Sequence, residues 1–178
     1  MNKGNGSWLV NKGGKRKYRN PDAQENVIKY IVRHDRPDND LVTWGGIGIV
    51  ESSDIPSVVD QFLFVQHRYT RKGDFGRYVD HEVFSISRND EQHIRDSHTD
   101  LDKLARKMAM DFYEKDHCQV VYGVHTPDEE DKCLHIHFGI NTVRFDNTRK
   151  RRENKRQTKE RSERFIQIMN DEIAANTE

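Results

Sequence analysis

Apolar and polar side chains alternate along residues 135–141, late in the chain. The apolar set is Ile136, Phe138 and Ile140, and the polar set is His135, His137, Gly139 and Asn141. Because successive side chains of an extended strand point to opposite faces, this period of two predicts a strand. One face of that strand is expected to join the core, and the other is expected to carry chemistry.

Elsewhere the apolar residues recur with the period of a helix or of a strand. Leu104, Met108 and Phe112 have the spacing of a helix that turns one face to the core. The pattern predicts strands near residues 7–11, 41–50, 78–87 and 119–125 and helices over 22–34, 55–66, 100–115 and 157–174. These elements predict an α+β fold: a two-layer sandwich in which helices pack on one face of a mainly antiparallel five-stranded sheet. The opposite face would be the active surface.

Three histidines meet if the last two predicted strands form an antiparallel hairpin. His125 would then lie beside His135 and His137. Three neutral imidazoles can hold one metal ion and leave coordination positions open for water or a phosphate oxygen. We therefore predict that these three histidines are metal ligands.

The alternative for a His-x-His pair is a solvated pair on an exposed strand. The third histidine weakens that alternative, Gly139 leaves room on the same face, and Asn141 adds a polar group there. The acidic loop between the strands is most simply a solvated turn, but its Asp128 could orient a ligand histidine. Asn141 and Asp128 are therefore included among the predicted catalytic residues.

The charge of the chain is unevenly distributed, although its 30 basic and 30 acidic residues cancel. Basic side chains gather before residue 22, in the loop around residue 71 and from residue 149 onward. They could contact DNA phosphates, and the alternative is a flexible terminus and a solvated helix. The predicted DNA-binding cations are Lys15, Arg16, Lys17, Arg71, Lys72, Arg149, Lys150 and Arg151.

Length and composition predict one domain over residues 1–178, with a basic N-terminal arm (1–20) and a basic C-terminal helical segment (149–178). The longest apolar runs are far shorter than a membrane span, and the N-terminus is polar. The expected location is the cytoplasm. The sequence does not predict an oligomeric state.

A tyrosine near the metal could act as a nucleophile. Tyr30 lies on the predicted helix 22–34 in one stripe with Val27, Ile31 and His34. A tyrosine in an apolar stripe is more often a packing residue. Tyr18, in the basic arm, is the main alternative nucleophile.

Three segments of the chain resemble the motifs of the MobA/MobL (P-type) conjugative relaxases, which belong to the HUH endonucleases. The resemblance extends over residues 27–143, and residues 27–31 match the first motif. It implies that Tyr30 is the nucleophile. Rolling-circle replication initiators place this tyrosine after the histidine pair, and they are excluded because no tyrosine follows Tyr122.

The other two motifs bear on DNA and on the metal. Residues 81–85 resemble the second motif, which implies that His81 and Ser85 help to hold the DNA. The third motif is matched by His125, His135, His137 and Asn141. The family usually has a shorter gap before the histidine pair, with an acid soon after the first histidine, so the role of Asp128 stays open.

The resemblance implies a metal-dependent relaxase that nicks one strand at the transfer origin of a plasmid or mobile element. Its product would be a covalent 5′-phosphotyrosine. Magnesium or manganese is the ion that the family implies, and three imidazoles would also suit zinc. The implied partners are single-stranded DNA and accessory relaxosome proteins in a bacterial cytoplasm. The phenol would be activated by the field of the ion or by a base such as His34 or an acid of the loop.

Two other classes remain as alternatives. The first is a non-catalytic DNA-binding accessory protein whose histidine cluster is structural or vestigial. The second is a small-molecule metalloenzyme of the cupin or histidine-triad type. The cupin pattern requires a Glu shortly after the pair and the triad requires a histidine at position 139, which is Gly139, so both match poorly.

Overall fold

The computed structural model describes residues 6–13, 17–34, 40–70, 72–126 and 133–177. Four residues with predicted roles, Lys15, Arg16, Arg71 and Asp128, lie outside these ranges. The elements in chain order are β1 (Trp8–Asn11), α1 (Ala23–Val32), β2 (Leu41–Ile47), α2 (Ile55–Gln66), β3 (Val79–Ser85), α3 (Arg88–Asp96), α4 (Leu101–Asp116), β4 (Val120–His125), β5 (His135–Asn141) and α5 (Lys155–Ala175).

The strands form one sheet in the order β1-β3-β5-β4-β2, and every neighbouring pair is antiparallel. The α+β class and the five-stranded antiparallel sheet are therefore confirmed. Strand β5 lies at the centre, where His135 pairs with His125 of β4 and Gly139 pairs with His81 of β3. All four residues consequently face the same side of the sheet.

Helices α4 and α5 cover the apolar face of the sheet. Phe138 of β5 is fully buried there, with ring centroids 5.3 Å from Phe112 of α4 and 5.5 Å from Phe165 of α5. The same core includes Ile136 and Ile140. Helix α5 is thus anchored by its apolar stripe rather than extending into solvent.

Helices α1 and α2 pack on the opposite face, so the expectation of helices on one face requires correction. Ile28 and Ile31 of α1 are fully buried in a second core with Val121 of β4. The helix can approach closely because position 123 is glycine. A Cβ there would fall well inside van der Waals contact with the backbone carbonyl of Ile31. Helix α1 therefore reaches the strand face that carries the histidines.

This close approach predicts the effect of Gly123→Ala. The methyl group must push the Ile31 carbonyl, and with it α1, away from the sheet. Overpacking of this kind typically costs about 1–3 kcal/mol of unfolding free energy, which urea denaturation would measure. Gly6→Ala is a matched control because nothing lies within 4 Å of its added methyl group. Equal stability of the two variants would contradict the packing argument.

Helix α3 was not predicted from the sequence. Ile94 is its only buried residue, so no apolar stripe marks it. Its start is fixed locally, because the side chain of Ser87 accepts a hydrogen bond of 3.1 Å from the backbone N–H of Asp90. A membrane-spanning helix is absent from the described part of the chain, since none of its helices is both long and apolar enough.

Candidate active site

A cleft of about 490 Å³ opens on the side of the sheet that faces α1. Its walls include His135, His137 and Lys17. It adjoins a second cavity of about 430 Å³, and Tyr30 and Tyr18 line both. Metal-ligating and nucleophilic side chains therefore share one concave surface.

The three predicted ligand histidines converge at this cleft. His125, His135 and His137 each offer one ring nitrogen, and these nitrogens all lie within 4.8 Å of one another. The register of β4 and β5 produces this cluster, since His125 pairs directly with His135 and His137 follows two residues later on the same face. The hairpin predicted from the sequence therefore brings the three imidazoles together.

Hydrogen bonds fix which nitrogen of each ring is available. Nε2 of His125 lies 2.7 Å from the carbonyl oxygen of Ile31, and Nδ1 of His135 lies 2.7 Å from the carbonyl oxygen of Cys133. A carbonyl only accepts, so these two nitrogens carry the protons. Nδ1 of His125 and Nε2 of His135 are left with lone pairs. Nδ1 of His137 lies 2.9 Å from Nε2 of His81.

Two of the remaining ring nitrogens have no protein partner. Nδ1 of His125 and Nε2 of His137 are buried and accept no hydrogen bond in the described structure. Buried polar atoms rarely stay unpaired, and a metal ion would satisfy both. The donor set therefore fits a divalent cation held by His125, His135 and His137.

Burial keeps these imidazoles neutral. It lowers the pKa of His125 and of His81 to about 4, and it lowers the pKa of His137 well below its ordinary value. Burial also lowers the pKa of His135. A neutral imidazole is the form that binds a metal, so the ligand set is ready at neutral pH.

Tyr30 lies beside the histidine cluster. Its ring centroid is 5.2 Å from that of His137 and 6.1 Å from that of His125, in edge-on geometry. The residue is 37% exposed and lines the cleft, so the phenol is accessible from it. The end of α1 sets this position, because the Ile31 carbonyl lacks an intrahelical partner and accepts from His125 instead. The hydrogen bond between His125 and Ile31, the residue after Tyr30, therefore holds Tyr30 next to a predicted metal ligand.

Arg33 and Asp40 belong to the site, although the sequence analysis missed them. The guanidinium of Arg33 lies 4.6 Å from the ring centroid of Tyr30. It also donates to both carboxylate oxygens of Asp40, at 2.9 Å and 2.6 Å. Arg33 directly follows α1, but the helix predicted over residues 22–34 contains both Tyr30 and Arg33, and their spacing of three residues on it could have indicated this contact. Asp40 lies seven residues after Arg33 and outside the predicted helix that contains Arg33, so no local sequence pattern indicates that the two residues pair.

Asn141 differs from its expected role. Its amide is fully buried, donates to the Phe62 carbonyl and to Gln119, and accepts from Gln66. It shares the histidine face, as predicted, but α2 covers it. Its hydrogen-bonding capacity is used to fix α2 to the sheet, so we correct its assignment from a catalytic to a structural residue.

Ser85 and His81, the two residues of the second motif, lie at different depths in the cleft. Ser85 pairs with His135 across the sheet and lines the wall. His81 is only 7% exposed and lies below the surface, between His137 and the hydroxyl of Tyr18, which is 3.3 Å from its Nδ1. Its position suits an orienting contact to a ligand better than a contact to DNA.

The predicted DNA-binding cations that the structure describes differ in their exposure. Lys17 is exposed in the cleft together with Lys12, and Lys72 and Arg149 are exposed elsewhere. Arg149 lines a further cavity of about 820 Å³. Lys150 lies in the same wall, but its ammonium donates to the Arg77 carbonyl, and burial lowers its pKa to about 7.

Arg151 is the clearest correction among these cations. Only 5% of the residue is exposed. Its guanidinium donates to four carboxylates, those of Asp80, Glu82, Asp116 and Glu153. It is therefore not available to DNA phosphates, and it is left out of the DNA-binding surface proposed below.

Comparison with known proteins identifies the family. A model of the MobA/VirD2-like relaxase nuclease domain matches residues 30–173, most of the 178-residue chain. The matched range begins at Tyr30 and contains the three histidines. No curated protein sequence matches the chain. The family match confirms the resemblance found in the sequence. The chain belongs to the family of MobA/VirD2-like relaxase nuclease domains.

Proposed function

We propose that this protein nicks one DNA strand at the transfer origin of a plasmid or other mobile element by transferring the strand to Tyr30. The observation that carries this proposal is the meeting of an accessible phenol with three metal-ready imidazoles in one cleft. Single-stranded DNA in the bacterial cytoplasm is the proposed substrate, and accessory relaxosome proteins are proposed partners.

His125, His135 and His137 would hold one divalent ion through the nitrogens left without partners. When bound, such an ion neutralises charge on the scissile phosphate and makes the phosphorus a better electrophile. Magnesium or manganese is the proposed ion, and the all-nitrogen donor set also suits zinc. His81 and the Ile31 carbonyl hold the rings of His137 and His125 in the required orientation.

Tyr30 supplies the nucleophile. Its oxygen forms a bond to phosphorus, the bond from phosphorus to O3′ breaks, and the products are a 5′-phosphotyrosine and a free 3′-hydroxyl. The Arg33 guanidinium near the ring stabilises negative charge as it develops on the phenol oxygen. Because the phosphotyrosine bond retains the energy of the phosphodiester, the same site can later rejoin the strand.

The DNA-binding surface is proposed to follow the exposed cations. Lys12 and Lys17 lie in the wall of the cleft next to the tyrosines, and Ser85 offers a hydroxyl there. Lys72 and Arg149 extend the positive surface. Binding through phosphates should weaken steeply with salt, by a slope of about −0.7 per contact for a single strand.

The experiment is a covalent-capture assay. Protein is incubated with a labelled single-stranded oligonucleotide containing its transfer-origin sequence and with Mn²⁺, then denatured and separated on a gel. A DNA-linked band is expected, it should disappear with a chelator, and peptide mapping should locate the link at Tyr30. Salt-sensitive DNA binding with no covalent band under any divalent ion would instead indicate the accessory DNA-binding protein.

A further inference from the structure

Tyr18 is held in an unusual conformation within the same cleft. Its backbone φ is 61°, in the left-handed region, which is costly for a bulky residue by on the order of 1–3 kcal/mol. Its carbonyl accepts a 2.8 Å hydrogen bond from the N–H of Tyr78, and Gly13 packs against its ring. The structure therefore fixes the phenol of Tyr18 in the cleft wall at an energetic cost.

A chain of hydrogen bonds connects this phenol to a ligand histidine. With a cation held at the unpartnered Nε2 of His137, the proton of that ring would be on Nδ1, which would donate it to Nε2 of His81, 2.9 Å away. His81 accepts at Nε2, so its own proton is on Nδ1. That proton is donated to the hydroxyl oxygen of Tyr18, 3.3 Å away.

In this direction of the chain, the hydroxyl of Tyr18 accepts a hydrogen bond from His81 and does not donate one to it. The hydroxyl oxygen accepts from His81, so its hydrogen must point to another acceptor. Tyr18 and Tyr30 line the same cavity, with ring centroids 6.2 Å and 5.9 Å from that of His81. The hydroxyl of Tyr18 can therefore donate to a group bound in the cavity that it shares with Tyr30.

We infer that Tyr18 is the general acid that protonates the leaving O3′, an inference that rests on the proposed nicking reaction. As the oxygen of Tyr30 loses its proton to solvent and bonds to phosphorus, the bond from phosphorus to O3′ breaks and O3′ takes the proton of Tyr18. A phenol is a stronger acid than a sugar hydroxyl, so this transfer is downhill. Tyr18 becomes a phenolate that accepts from His81 Nδ1–H.

The reverse reaction uses the same atoms. The Tyr18 phenolate takes the proton from the 3′-hydroxyl, O3′ attacks phosphorus, the bond from phosphorus to Tyr30 breaks, and the Tyr30 phenolate takes a proton from solvent. Burial and the neighbouring Tyr30 raise the pKa of Tyr18, which makes its phenolate a stronger base for this step. A second tyrosine thus gives the site an acid for nicking that becomes the base for rejoining.

The test uses an oligonucleotide in which sulfur replaces the bridging O3′ at the scissile phosphate. A thiolate leaves without a proton, so it removes the need for a general acid. With Mn²⁺ and single turnover, Tyr18→Phe should form the adduct about 100-fold more slowly than wild type on the normal strand. On the sulfur strand it should come within a few-fold of wild type. Equal slowing on both strands, or no slowing, would overturn the inference.

Further measurements separate this inference from the proposed function. Absence of any adduct with wild-type protein would reject the nicking reaction itself. A Tyr18→Phe protein that forms no adduct with either strand, alongside an active Tyr30→Phe protein, would make Tyr18 the nucleophile and overturn its role as acid. Tyr113→Phe is the matched control, because this half-buried ring packs on Phe145 away from the cleft.

Two readouts do not depend on turnover. Calorimetric Mn²⁺ affinity should be the same for Tyr18→Phe and wild type, since Tyr18 is not a ligand. Imidazole ¹⁵N shifts of the Mg²⁺-loaded protein should show His81 protonated at Nδ1. Protonation of His81 at Nε2 would reverse the hydrogen-bond chain and overturn the inference.

Discussion

Tyr30→Phe is expected to abolish covalent attachment of the protein to DNA. The substitution removes one oxygen and keeps the ring that contacts His137 and His125 at 5.2 Å and 6.1 Å. The side chain is 37% exposed, so the loss of its hydroxyl should change stability by less than about 0.5 kcal/mol. Binding of single-stranded DNA should persist, because the cations of the cleft are untouched. Covalent capture, equilibrium binding and urea unfolding measure the three quantities.

The comparison variant is again Tyr113→Phe, which deletes the same atom outside the cleft. It should form the adduct at the wild-type rate. If Tyr30→Phe still formed a DNA-linked band, Tyr30 would not be the nucleophile. If it lost DNA binding together with the band, the result would point to a structural role for the hydroxyl.

Arg151→Met is expected to cost about 3–5 kcal/mol of unfolding free energy. Methionine fills much of the same volume but removes the cation that the buried carboxylates of Asp80 and Glu82 share. Asp80 keeps an ion pair of 2.9 Å with Arg77, so the larger loss falls on Glu82. Both carboxylates lie on β3 and are at most 2% exposed. A buried carboxylate that has lost its cation either stays charged at the full cost of desolvation or takes up a proton.

The destabilisation should grow as pH rises. Burial raises the pKa of Glu82, and the strongest opposing influence is Arg151. A carboxyl with a raised pKa binds its proton more tightly in the folded state, so its contribution to stability is lost as pH rises through that pKa. Without Arg151 the pKa of Glu82 rises further and the loss extends to higher pH. Because burial raises the pKa of Glu82 to about 8 in the wild type, the two proteins should diverge above that pH, and urea unfolding at about pH 7 and pH 10 would measure the difference.

Arg144→Met provides the matched control for this prediction. Arg144 pairs with Asp146 at 3.0 Å, but both side chains are about one-third exposed, so the pair should contribute about 0–1 kcal/mol. A similar effect of the two substitutions, or a pH-independent loss in Arg151→Met, would contradict the account of a buried carboxylate cluster.

The sequence by itself determined the local elements and the histidine cluster. The period of two in β5 fixes which side chains share a face, and helical spacing marks α1, α2, α4 and α5. A hairpin between β4 and β5 has one register that buries Phe138 and its neighbours, and that register pairs His125 with His135. The candidate ligands therefore follow from local rules of strand geometry. Helix α3 was not predicted because it buries only Ile94 and therefore shows no apolar stripe.

Only the tertiary structure decided what each polar side chain does. Arg149 and Arg151 are indistinguishable in sequence, yet one is exposed and the other donates to four carboxylates from distant elements. Asn141 lies on the predicted face but is covered by α2, whose Phe62 carbonyl accepts from its amide, while glycines in β4 and β5 let α1 approach the same face. Likewise the link from Tyr18 through His81 to His137 joins three elements. Burial and hydrogen-bond partners depend on which elements meet in space, and local periodicity carries no information about that.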